Sequence, residues 1–170
     1  MELFETFAKR GSYRDEFLPE PVPAEDLERI LTAGLLAPSG MNYQTTSFVM
    51  VTDPSLLSAL AGLIQTKAMA TAPAMAVLFS SSHPSPAGMS FEIEDYAAAA
   101  ENILLAVTAL GYAGVWTDGQ TRRCHEQIEA LLNAPAGFTA RAVIPFGRPK
   151  KDVVQNTRRP REERVFRNRF

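Results

Sequence analysis

Glu101-Asn102-Ile103-Leu104-Leu105-Ala106-Val107-Thr108-Ala109-Leu110-Gly111-Tyr112-Ala113-Gly114-Val115-Trp116-Thr117-Asp118-Gly119 reads as an apolar helix that stops at a glycine and hands over to a short strand. Upstream, the same apolar periodicity extends back to Glu92, so one long helix is expected over 92–110. Its surface is rich in alanine, which lets another backbone approach closely. Gly111 to Gly114 ends the helix, Val115 to Thr117 is the expected strand, and Asp118-Gly119 is a turn signal. The glycines do not form Gly-x-Gly-x-x-Gly between a strand and a helix, and that spacing occurs nowhere in the chain. A Rossmann dinucleotide fold is therefore disfavoured.

Working outward, Leu3, Phe4, Phe7 and Ala8 share one side of a helix over 2–9, which Gly11 breaks. A second helix begins near Ala24, where Glu25 and Asp26 suit its positive end. It ends at Ala37-Pro38, because a proline disfavours helical geometry at the residue before it. The polar segment 38–44 is expected as a loop, followed by a strand over 47–52. Asp53-Pro54 has the form of an N-cap and a first helical residue, giving a helix over 54–65. The apolar run 74–79 suits a buried strand, 80–88 a loop, 124–133 a helix, and 141–146 a last strand. Helices and short strands are mixed without tidy alternation, which favours α+β over a doubly wound sheet.

The chain has 170 residues, 46% hydrophobic and 21% charged, as expected for one globular domain over 1–170. No apolar run reaches the ~18–20 residues of a membrane helix. The opening Met-Glu-Leu-Phe-Glu lacks the basic start and apolar stretch of a signal peptide, so a cytoplasmic location is expected. Cys124 is the sole cysteine, which excludes an intramolecular disulfide framework. His83 and His125 have no second ligand at metal-binding spacing, so no metal site is expected. Gly-x-Ser-x-Gly is missing, which argues against a serine hydrolase. Residues 150–170 form a basic arm of net charge +5 on a body of −7. Such an arm is either a polyanion-binding segment or solvated charge. Glu162-Glu163 would repel a nucleic-acid backbone, while Val165, Phe166 and Phe170 suggest docking on something apolar.

Two clusters have chemical content. Arg10-Gly11-Ser12-Tyr13-Arg14 places two guanidiniums and a hydroxyl just after a helix, where they suit a phosphate or simply a solvated turn. Pro38-Ser39-Gly40-Met41-Asn42-Tyr43-Gln44 carries amide side chains that both donate and accept, as the edge of a heterocycle requires. The same residues also serve ordinary turn chemistry.

Taken in order, these pieces resemble the nitroreductase family of FMN-dependent oxidoreductases. Arg10-x-Ser12-x-Arg14 is similar to the family's Arg-Arg-Ser-x-Arg start, with Gly11 in place of the second arginine. Residues 37–44 are similar to its Ala-Pro-Ser-x-x-Asn-x-Gln loop. Residues 101–119 resemble its central helix and following strand edge, and Phe146-Gly147-Arg148-Pro149 its ending. The resemblance implies an α+β fold, a central mixed sheet flanked by helices, and an intertwined homodimer with FMN at the subunit interface. It implies that Arg10 and Ser12 hold the FMN phosphate and that Arg14 faces the N1/O2 side of the ring. Pro38, Ser39, Asn42 and Gln44 would come from the neighbouring subunit. Backbone at Asp118 and Gly119 would approach N5, and Arg158 or Arg159 would complete the phosphate cradle. The alanine-rich helix would pack across the dimer axis. No side chain is implied as a catalytic acid or base, since flavin N5 carries the chemistry. NADH or NADPH would be the donor and a nitroaromatic, quinone or similar electron-poor compound the acceptor, with no nucleic-acid or membrane partner. A flavin-binding sensor or storage module without turnover is the alternative. The chain departs from the family at Thr45-Thr46, where Pro-Trp is common, at Arg148, and in having only 80–91 between the second strand and the central helix.

Overall fold

The computed structural model describes residues 1–170. Eleven elements follow one another: α1 (Leu3–Lys9), α2 (Ala24–Leu35), β1 (Thr46–Val51), α3 (Pro54–Leu63), α4 (Lys67–Thr71), β2 (Ala74–Ser81), α5 (Glu92–Ala109), β3 (Ala113–Gly114), α6 (Asp118–Thr121), α7 (His125–Leu131) and β4 (Phe138–Gly147). Several starts follow from capping. The Glu2 carboxylate accepts from the N–H of Phe4 and Glu5 at the head of α1. Asp53 caps α3 ahead of Pro54, and the Thr66 hydroxyl accepts from Met69 N at the head of α4.

The sheet runs β1-β2-β4-β3. β2 pairs antiparallel with β1 and β4, and β3 pairs antiparallel with β4. The parallel component of the expected mixed sheet is reduced to one bridge, between Ser12 and Gly114. The side-chain alternation of a strand explains the two cores. Met75, Val77 and Phe79 of β2 join Leu60, Ile64, Met69 and Ile128 on one face. Ala74, Ala76 and Leu78 join Ile30, Ala100, Ile103 and Val107 on the other. Both faces of β2 are covered, so its sequence is continuously apolar rather than alternating.

Three local expectations need correction. The strand expected at Val115–Thr117 lies instead at Ala113–Gly114, because Val115 N and Thr117 N bond to β4 without extending the ladder beyond those two residues. The turn expected at Asp118-Gly119 is the start of a short helix: Asp118 opens α6 and binds Arg122 one turn on. The helix α4 was not expected, since its five residues, Lys-Ala-Met-Ala-Thr, are too few to show a period. The alanines of α5 have a first role within the chain: Ala99 and Ala100 are buried in the core beneath the sheet. No helix is long and apolar enough to cross a membrane.

Candidate active site

The turn after α1 is fixed by the sheet. Tyr13 N donates to Gly114 O at 3.0 Å, which draws Ser12 and Arg14 alongside β3. The root of the C-terminal arm is fastened over the same turn. The Tyr13 hydroxyl donates to Glu16 O at 2.6 Å and accepts from the N–H groups of Lys150 and Lys151. Lys150 pairs with Glu16 at 2.7 Å and Lys151 with Asp15. The Lys151 ammonium, followed by the Glu16 N–H, holds the Asp15 carboxyl down at about 2. Gln155 Nε2 donates to Phe7 O and Arg10 O, two carbonyls at the end of α1. This clasp explains Gly11: a Cβ there would lie 2.8 Å from Val153 Cγ1 and 3.1 Å from Val154 O. Any side chain at this place would have to displace the Val153 side chain of the arm root.

A cavity of about 450 Å³ opens beside this turn, lined by Ser12, Tyr13, Arg14, Asp15, Lys67 and Lys151 among others. Arg14 also borders a recess of about 140 Å³ with Thr66, Trp116, Thr117 and Gln120. Lys67 and Lys151 are both paired with Asp15, whereas Arg14 has no acidic partner and its Nη1 donates only to Ser12 O, at 3.3 Å. It is the free cation at the junction of the two spaces. The Trp116 indole N–H, in the same recess, is buried without an acceptor.

A second, smaller cavity of about 120 Å³ lies elsewhere on the chain, lined by Pro38, Ser39, Gln44, Thr46, Phe48 and Asp95 among others. Its loop has unusual backbone. Met41, Asn42 and Gln44 take φ of 50°, 57° and 51°, and left-handed conformations cost a side-chain-bearing residue about 1–2 kcal/mol. Ser39 Oγ accepts from Gln44 N at 3.0 Å. Gly40 is pressed under Phe91, whose Cγ would lie 2.2 Å from an added Cβ. The Thr46 hydroxyl is buried without a partner.

The predicted residues thus fall into separate groups. Ser12 and Arg14 line the large cavity, and Pro38, Ser39 and Gln44 the small one. No residue lines both. Arg10 turns instead to Glu101 on α5, with Nε 3.4 Å from Oε1. Asn42 is exposed at the loop tip. The Asp118 carboxylate is committed to Arg122, at 2.7 and 3.0 Å, which leaves only backbone of Asp118 and Gly119 for a ligand. Arg158 and Arg159 are exposed and line neither cavity. Arg148 stacks on Tyr112, its Cζ 5.4 Å from the ring centre, and pairs with Glu20 at 3.0 Å, which accounts for an arginine at this position. Sequence reasoning missed Lys67, Thr46 and Asp95. Lys67 sits in an element too short to detect. Asp95 reads as one of three acids in the first turn of α5.

The Nitroreductase family model matches residues 7–66 and 60–148. The chain belongs to the nitroreductase family. A protein of Archaeoglobus fulgidus with the provisional name NADH dehydrogenase/NAD(P)H nitroreductase is 32% identical over 152 residues, 86% of each chain. Among solved structures, the NADPH:FMN oxidoreductase of Vibrio harveyi, complexed with NAD+, superposes with a TM-score of 0.86 at 25% identity, covering 99% of this chain and 77% of that one. A provisionally named nitroreductase of Desulfovibrio desulfuricans in complex with FMN superposes at 0.84, with 27% identity over 100% and 98% of the two chains. The expected family and α+β nitroreductase-like fold are borne out. The matched region includes the turn, the loop and the central helix and ends before the C-terminal arm.

Proposed function

We propose that the protein is an FMN-dependent NAD(P)H oxidoreductase whose two cavities are halves of one cofactor site, joined when a second copy of the chain docks. The observation that carries this reading is Arg14, a guanidinium with no acid partner at the mouth of a 450 Å³ cavity in a nitroreductase-family chain. That volume lies in the roughly 300–1,000 Å³ range of ligand pockets, whereas the 120 Å³ recess beside Ser39 and Gln44 is too small for a flavin alone.

The donor set fits FMN. Ser12 and the cations around it suit a phosphate, and Arg14 suits the ring edge where reduction develops negative charge. Orphaned polar atoms, Trp116 Nε1 in the recess that Arg14 shares with the large cavity and Thr46 Oγ1 in the small one, leave hydrogen-bonding capacity unspent in the isolated chain. FMN, when bound, supplies the hydride-accepting and hydride-donating N5 atom, taking electrons from NADH or NADPH and passing them to a nitroaromatic, quinone or similar acceptor. The chain's residues hold and orient: Ser12 and Arg14 from one copy, Pro38, Ser39, Asn42 and Gln44 from the other. Asp118 and Gly119 contribute backbone alone. Leu3, Phe4 and Phe7 on α1, with Leu35 and Leu36 at the end of α2, are exposed and give the second copy an apolar surface to cover. The arm beyond Gln155 carries Arg158 and Arg159 toward the partner's phosphate end.

The decisive measurement is an absorbance spectrum after adding FMN to the purified protein, followed by anaerobic NADH and NADPH titration. Flavin bands that bleach with either nucleotide are expected. Failure to retain FMN overturns the reading, and bands that persist with both nucleotides identify a module without turnover. Replacing Arg158 and Arg159 together with alanine should weaken FMN retention; unchanged affinity leaves the arm as solvated charge.

A further inference from the structure

The loop that bears Ser39, Asn42 and Gln44 hangs on one carboxylate. Asp95, in the first turn of α5, is 4% exposed. It has no cation within ion-pair distance; its oxygens go to the loop instead. Oδ1 accepts from Gly40 N at 2.7 Å and Oδ2 accepts from Thr45 Oγ1 at 2.7 Å. These two bonds grip the loop near each end, and between them lie all three of its left-handed residues, Met41, Asn42 and Gln44.

The tip has two local turn bonds, Asn42 N to Ser39 O and Tyr43 N to Gly40 O, but the Met41 and Asn42 side chains do not anchor it. Met41 is 60% exposed, and the Asn42 side chain makes no hydrogen bond within the chain. Strained backbone persists only where its surroundings over-determine it. Here the surroundings are Asp95, the Phe91 ring pressed on Gly40, and the Ser39 hydroxyl bonded to Gln44 N. Ser39 ties the loop to itself, whereas Asp95 ties both ends to α5, 50 and 55 residues away in sequence. A buried carboxylate without a cation is costly unless hydrogen-bonded, and bonds to an ionised acceptor are about twice as strong as neutral ones.

We propose that Asp95 is a positioning residue for the cofactor: through Gly40 and Thr45 it holds the loop in the one conformation that presents Ser39, Asn42 and Gln44 to FMN. The inference rests on the reading of this loop as half of the FMN site. Asp95 itself acts only through the loop. Its effect is preorganisation, so removing it loosens the loop before cofactor arrives and raises the binding cost afterwards.

The test compares Asp95→Ala, Asp95→Asn and Thr45→Val with the natural protein. FMN affinity is read by flavin fluorescence quenching, and exchange of the Gly40 amide hydrogen is read in cofactor-free protein. Asp95→Ala should expose the Gly40 amide to exchange and raise the FMN Kd by about 10- to 100-fold. Thr45→Val, which removes one bond and keeps the charge, should raise it by about 2- to 10-fold. Asp95→Asn keeps an acceptor for Gly40 N and should restore affinity to within about threefold of the natural protein. If Asp95→Ala does not fold, Thr45→Val and Asp95→Asn decide. Natural protein that binds FMN while the folded variants bind it equally well overturns the positioning role alone. Natural protein that takes up no FMN overturns the underlying reading and this role with it.

Discussion

The turn at 10–18 and the loop at 38–45 are both polar, both border a cavity, and are held by opposite strategies. The turn is fastened by many partners: a strand bridge at Ser12, the Tyr13 hydroxyl, two ion pairs to the arm root and the Gln155 amide. The loop has few fastenings, and its two longest-range ones converge on Asp95. Distributed weak contacts tolerate the loss of any one of them. A concentrated anchor does not. Each region also contains a glycine under pressure, which lets the same substitution probe both.

The largest stability effect is expected at Gly40→Ala. The new Cβ would meet Phe91 Cγ at 2.2 Å and Cβ at 2.5 Å. The Phe91 Cβ is fixed to the backbone beside α5, so the loop must shift. Overpacking of this kind costs about 1–3 kcal/mol, which for a chain of this length lowers Tm by several degrees. Calorimetry checks the stability, and the Gly40–Asp95 bond should be lost with it. A melting point equal to the natural protein's would show that the loop is softer than its geometry implies.

Arg14→Ala comes next and acts on binding rather than folding. Arg14 is exposed and carries one long hydrogen bond within the chain, to Ser12 O, so stability should change little. A charge-assisted contact to the flavin edge is lost, and the FMN Kd should rise by about 10- to 100-fold in a fluorescence titration. Equal affinity would break the asymmetry, since the turn would then have no ligand to serve.

Gly11→Ala is the counterpart in the fastened turn, with a smaller cost expected. Its nearest neighbour is Val153 Cγ1 at 2.8 Å, the free end of a side chain that can rotate. The change should cost about 1 kcal/mol and quicken proteolysis in the arm beyond Val153 without altering the loop. A cost matching that of Gly40→Ala would show that the two regions are equally rigid.

How far the sequence shows this contrast depends on range. The long period of α5, the Asp53-Pro54 cap and the buried run of β2 are local patterns, and each lies where it reads. The Arg10–Arg14 and Pro38–Gln44 segments are legible as polar clusters because their residue types are unusual together. What holds them is not legible. The Asp95–Gly40 bond spans 55 residues and the Lys151–Asp15 bond 136, and no spacing rule reaches that far. The arm was readable as basic, but its clasp was not. Lys150 and Lys151 read as part of the arm's free charge, whereas the structure spends both on Asp15 and Glu16 and leaves Arg158 and Arg159 exposed.

The smallest predicted effect comes from acid, and its sign follows from Asp15. The folded-state carboxyl titrates at about 2, below its ordinary 3.8. A depressed carboxyl adds stability that is complete above the ordinary value and is lost as pH falls through the folded one. The clasp between Lys151 and the turn should therefore be intact above about pH 4 and fade between about 4 and 2. Asp15 lies at the surface, where screening keeps such pairs weak, so global unfolding should move little over that range. The sensitive readout is the carboxyl itself. In Lys151→Met, Asp15 should titrate by NMR closer to its ordinary 3.8, while the Gly40–Asp95 bond, which shares no residue with the clasp, should keep its amide protection. Coupled loss of both would mean that the two regions are held as one.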